Sequence, residues 1–224
     1  QSPMALTWVT LSFIIPFAIF SLVGGVIADR VSKKNIMIYA QSLNGMATCV
    51  LGYIIFTGEV DFWHFIYFGF LNGAIGSLSI PASFSIVPEI VRQHNLVNAT
   101  ALQTSTFNLA SIIGPILAGS MIALFSSSDF DSSKSVGLVF FVISSLFLLA
   151  AMFSIFINHQ GRPFNAPETS SMEDLREGIE FVRERSMILG LMVMGLVPSA
   201  FGKSMHFLLP AFNEEVISGG PGEL

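Results

Sequence analysis

The sequence predicts an all-α integral membrane protein with six transmembrane helices. Three observations carry that prediction. Hydrophobic residues make up 52% of the 224 positions and charged residues only 11%, against about 25% charge in a soluble domain. The apolar positions form long, nearly uncharged runs rather than short alternating ones, which favours helices over a barrel. The basic residues fall almost entirely in alternate connections between those runs.

A spanning helix needs about 20 mostly apolar residues. Six runs qualify: 5–28, 35–57, 62–87, 102–125, 136–157 and 188–209. One set of connections holds Arg30, Lys33, Lys34, Arg92, Arg162, Arg176, Arg183 and Arg185. The opposite set holds Lys134 with Glu59, Asp61, Asp129, Asp131, Glu214 and Glu215. The positive-inside rule therefore puts 29–34, 88–100 and 158–186 in the cytoplasm. The expected organisation is a helical bundle over 1–157, a cytoplasmic connection over 158–186 and one further span in 187–224. The connection opens as a Pro-containing linker, with Pro163 and Pro167. An amphipathic helix follows: Ser170 and Glu173 form a capping box, and Met172, Leu175, Ile179 and Val182 recur at helical spacing. The chain starts at Gln1 with no basic n-region, so it reads as beginning inside a larger protein rather than with a signal peptide. The single cysteine, Cys49, cannot form an internal disulfide and reads as a small buried residue.

The most unusual stretch runs from Gly25 through Asp29 and Arg30 to Lys33 and Lys34, between two uncharged runs. A carboxylate at a helix C-terminus opposes the helix dipole, so Asp29 calls for a specific cationic or helix-N-terminal partner. In the fourth span, Ala110, Gly114 and Ala118 form one small-residue stripe, and Ser111, Pro115 and Gly119 form another beside it. Such stripes permit close helix contact, and Pro115 favours a local bend.

Polar groups within spans are costly in lipid. Gln41, Asn44 and Thr48 share a face of the second span; Asn72 stands among Gly69, Gly73 and Gly76; Asn108 lies in the fourth; Lys203 and His206 lie in the sixth. They either line a path for a solute or supply interhelical hydrogen bonds, and Lys203 either snorkels or faces a cavity. No Asp or Glu lies deep in a span. Enzymatic readings gain no support: there is no phosphate-cradling Gly-Lys loop, and His64, His94, His159 and His206 lack metal-ligand spacing. No cofactor is expected. Nucleic acid is not an expected partner, because the bases sit at the membrane edge.

The pattern Gly25, Asp29, Arg30, Lys33 and Lys34 resembles the loop between the second and third helices of major facilitator superfamily transporters, with Ser32 where the family usually has glycine. Gly114 and Pro115 are similar to the fifth-helix motif of the antiporters in that superfamily, with Ala110 and Ala118 in place of two glycines. The stretches 81–101 and 175–183 resemble the branch containing bacterial siderophore exporters and macrolide-efflux-type proteins. That resemblance implies a partial major-facilitator-type bundle, helices two to seven. It further implies a multi-pass protein of the bacterial inner membrane that exports small organic molecules by alternating access, with protons as coupling ion. The gating loop would be Gly25 to Lys34, and the bundle-interface motif would comprise Ala110, Gly114, Pro115, Ala118 and Gly119. The substrate path would draw on Gln41, Asn44, Asn72, Asn108, Lys203 and His206. The partners are then the lipid bilayer, the solute, protons and the remainder of the transporter. The competing expectation is a non-transporting membrane scaffold or subunit.

Overall fold

The computed structural model describes residues 3–126 and 132–158, with scattered positions from 180 to 195. The side chains of residues 22–30 are outside the described set. The chain divides into two units, Gln1–Ala166 and Pro167–Leu224. The first is built from α1 (Pro3–Arg30), α2 (Lys33–Thr57), α3 (Phe62–Ile90) and, after a short 3-10 turn, α4 (Leu96–Ser126) and α5 (Ser132–Ile155). Of the second, residues 187–191 are helical, with the Ile188 N–H bonded to the Arg185 carbonyl at 2.9 Å. The amphipathic helix expected over 170–185 and most of the sixth span lie outside the described residues.

The helices overrun the apolar runs that announced them. α4 begins at Leu96 rather than at 102, and α5 runs 132–155 rather than 136–157. Backbone bonding continues into polar sequence, where the Thr100 hydroxyl donates back to the Leu96 carbonyl of its own helix. α4 is continuous through Pro115. The turn between α1 and α2 is shorter than 29–34: Asp29 and Arg30 are the last helical residues of α1, and Lys33 and Lys34 are the first of α2. At the other end of α2, Gly58 adopts a left-handed φ of 78°, and its N–H and that of Glu59 close the helix.

Among the described residues, four segments are long and apolar enough to cross a membrane, in α1, α3, α4 and α5. α2 is long enough but too polar, with Lys33, Lys34, Gln41 and Asn44. The packing explains this difference. α2 lies between α3 and α5, and nine of its residues are buried; α4 has none. A helix enclosed by protein can carry polar groups that a lipid-facing helix cannot.

Two close crossings hold the unit together. α1 meets α3 at Gly73, where an added Cβ would fall on the Phe13 carbonyl oxygen and within 2.9 Å of the Pro16 ring. α2 meets α5 at Gly52 and Gly137, each of which has a phenylalanine Cβ of the other helix 2.9 Å from its own would-be Cβ. The Ser144 hydroxyl, on α5, donates to the Gly45 carbonyl at 2.8 Å alongside that crossing. Small residues let apolar helices approach closely enough for dispersion and such bonds to hold them, where no hydrophobic effect acts between helices. Cys49 is exposed, not buried. On α2 it shares the outward surface with Met46, Val50 and Tyr53, where the bilayer takes the place of a protein core.

Candidate functional site

Two arrangements bring the chemistry-bearing residues together. The first lies where α2 begins and where α3 and α5 end. A lysine at a helix N-terminus opposes the helix dipole, and so does a glutamate at a C-terminus. Lys33, at the start of α2, pairs with Glu89, at the end of α3, so two unfavourable placements offset each other. The Lys33 side chain is 10% exposed and that of Glu89 26%. The next residue turns the other way. Lys34 Nζ donates to the Ile155 carbonyl, in the last turn of α5, at 2.7 Å. There a cation meets the negative end of a helix and satisfies a carbonyl the helix leaves open. Adjacent lysines thus clamp the ends of both neighbours of α2. Lys34→Met should loosen only the α5 contact, raising amide exchange in the last turn of α5 several-fold, consistent with a loss of about 1 kcal/mol. Unchanged exchange there would show that the bond contributes nothing.

The basic pair of the expected gating loop is therefore engaged within this helical unit. Gly25, Asp29 and Arg30 occupy the last two turns of α1, and their side chains are outside the described set.

The second arrangement is a cavity of about 500 Å³ among α2, α3, α4 and α5. Its walls include Gln41 and Asn44 from α2, Ser79 and Ser83 from α3, Phe107 from α4 and Phe147 from α5. Gln41 Oε1 and Asn44 Oδ1 are buried without a hydrogen-bond partner among the described residues, as is Gln103 Oε1 nearby. The Gln103 amide nitrogen donates to the Ser83 carbonyl at 2.9 Å, which fixes its oxygen as the free acceptor. Buried oxygens without partners are costly; these three are shielded from the open space of the cavity, so an occupant that donates hydrogen bonds meets them only when the wall side chains turn.

The structure brings Gln41 and Asn44 together but not Asn72 or Asn108, the other path residues within the described set. The Asn72 side chain donates to the Phe68 carbonyl of its own helix at 2.9 Å, and it does not line the cavity. Asn108 is exposed on α4. Lys203 and His206 lie outside the described residues. On α4, an added Cβ at Gly114 or Gly119 would meet nothing within 4 Å, and Ala110 and Ala118 are likewise not buried. Sequence reasoning missed Glu89, Ser79, Ser83 and Gln103. Glu89 carried a usable signal, an acid one turn before a basic connection; the serines look like any helix serine until their neighbours are known.

A family model described as transmembrane secretion effector matches residues 1–223. The chain is 24% identical over 192 residues to the uncharacterized MFS-type transporter YfiS of Bacillus subtilis, covering 84% of this chain and 43% of the relative. It is 23% identical over 220 residues to macrolide efflux protein A of Enterococcus faecalis, covering 98% of this chain and 66% of the relative. Similarity to the enterobactin exporter EntS of Shigella boydii is 25% over 179 residues, covering 78% of this chain and 39% of the relative. The chain thus spans between 39% and 66% of the length of these relatives. No solved structure matches it. With a helical, membrane-spanning bundle and a family match along nearly its whole length, this chain is a multi-pass bacterial plasma-membrane protein that belongs to the transmembrane secretion effectors of the major facilitator superfamily.

Proposed function

We propose that the chain is helices two to seven, the larger part of one half and the first helix of the other, of a secondary transporter that exports small organic molecules. The observation that carries this reading is the cavity among α2, α3, α4 and α5, walled in part by Gln41 and Asn44, whose amide oxygens are buried without partners among the described residues. A scaffold protein has no use for unsatisfied acceptors inside a bundle, whereas a transporter can give them to a solute or to a moving helix. The substrate class is that of macrolide-like drugs or siderophores; two of the relatives are named for macrolide and for enterobactin. Transport runs by alternating access, with two bundles rocking about a shared site. Protons are the coupling ion, and the carboxylate that carries them belongs to the remainder of the protein.

Asp29, with Gly25 and Arg30, serves as the latch on the cytoplasmic side and engages that remainder. Lys33 and Lys34 hold the bundle end against which the latch works. The small-residue face of α4, around Gly114, Pro115 and Gly119, packs against helices beyond these five, including the helix that precedes α1 in a complete bundle. The absence of any buried residue on α4 supports that assignment.

The test is flux of candidate macrolides and catecholate siderophores in vesicles, using the full-length protein with and without a proton gradient. Gradient-driven, saturable export is expected. Asp29→Asn should lower the rate at least tenfold while leaving the amount inserted unchanged; wild-type rates in that variant would remove Asp29 from the mechanism. No flux of any solute would favour the scaffold reading.

A further inference from the structure

Both tryptophans of the chain line one groove that the proposed path does not use. It lies between the first halves of α1 and α3 and has a volume of about 480 Å³. Trp8, Leu11 and Ile15 form one wall, and Trp63, Ile66 and Phe70 the other. Ser12 brings the only hydroxyl among these lining residues, and it already donates to the Val9 carbonyl at 2.7 Å. Apart from that hydroxyl and the indole N–H groups of Trp8 and Trp63, an occupant finds only apolar contact in the walls.

The length of the groove limits what fits. From Phe62 to Phe70 a helix rises about 12 Å, most of the roughly 15 Å depth of one hydrocarbon leaflet. Its mouth has a different character. Glu59 and Asp61 stand immediately before Phe62, both exposed, with no lysine or arginine between Lys34 and Glu89 in the chain. Asp61 and His64 are tied together at the start of α3: the Asp61 backbone carbonyl accepts the His64 backbone N–H at 3.0 Å, and His64 Nδ1 accepts the Asp61 N–H at 3.0 Å. That exchange holds the acidic rim in place at the end of a regular helix. An acidic rim above a leaflet-deep apolar groove fits one acyl chain of a lipid whose head carries a cationic group, and it disfavours a purely anionic head.

We infer that this groove holds an acyl chain of a zwitterionic amino-phospholipid, of the phosphatidylethanolamine kind, with its ammonium group against Glu59 and Asp61. The lipid comes from the leaflet opposite the Lys33–Glu89 pair, since α1 and α3 both start on that side. This site stands on membrane placement alone and holds whether or not the protein transports anything.

Tryptophan fluorescence tests it directly, because bromine on an acyl chain quenches an indole it touches. The chain would be placed in nanodiscs containing equal fractions of brominated phosphatidylethanolamine or brominated phosphatidylglycerol in an unbrominated background. Quenching at low brominated fraction should favour the ethanolamine lipid about threefold, the size of a partly screened ion pair. The double variant E59Q/D61N should quench equally with both lipids; asparagine still caps α3, so the helix start is preserved. Equal quenching of the wild-type chain by both lipids means that the groove admits any bulk acyl chain, and that overturns the inference. So does no quenching, which means that protein, such as a second copy of the chain, covers the groove. A preference that survives in E59Q/D61N likewise overturns it.

Discussion

Replacing Gly73 with valine is expected to separate α1 from α3 and to destabilise the helical unit by about 3 kcal/mol, the upper end for overpacking. The atom in the way is the Phe13 carbonyl oxygen, and Pro16, fully buried, stands close behind it. A backbone carbonyl in a helix cannot rotate aside, so the two helices must part along the crossing. Gly69→Ala is the informative contrast. There the obstruction is the Ser12 hydroxyl, which can turn to another rotamer, so the cost should stay below about 1 kcal/mol. Gly119→Val should be neutral in this chain, because nothing lies within 4 Å of its would-be Cβ. Thermal unfolding in detergent, followed by helical circular dichroism, ranks the three. If Gly73→Val and Gly119→Val unfold at the same temperature, the crossing does not hold the unit together.

Glu89→Gln is expected to have the second-largest effect, destabilising by about 2 kcal/mol. That figure lies between the small value of exposed ion pairs and the 3–5 kcal/mol lost when one partner of a buried pair is removed. The variant leaves the Lys33 ammonium 10% exposed and without its carboxylate at a helix N-terminus, where the dipole also opposes it. Lys33→Met together with Glu89→Leu removes both charges and should recover most of the loss, because apolar replacement of a buried pair is often neutral. A double-variant cycle measures the coupling. If the double variant is no more stable than Glu89→Gln, the pair is not what links α2 to α3.

These two variants test features the sequence revealed to different extents. The glycines of α3 were legible as a group around Asn72, but not the partner each one meets. Gly73 contacts a backbone carbonyl and Gly69 a side-chain hydroxyl, and spacing along one helix cannot tell these apart. Lys33 and Lys34 were legible as a basic pair at the membrane edge. Their opposite directions, one to Glu89 and one to Ile155, come from helices whose ends lie more than fifty residues away in the chain. Cys49 was misread because it was given the general burial tendency of cysteine, whereas in a bilayer the outward face is apolar too.

The sequence by itself determined the class, the helix order and the alternation of charge across the spans. Those depend on local composition: a bilayer demands long apolar helices with paired backbones, and any chain that meets the demand announces it. It also placed Gln41 and Asn44 on one face of α2, because helical period is local. Only the tertiary structure decided that this face opens on a cavity with Ser79 and Ser83, while Asn72 turns back to its own helix. Amides in membrane helices look alike in sequence, and what each one does is set by which neighbouring backbone comes within about 3 Å.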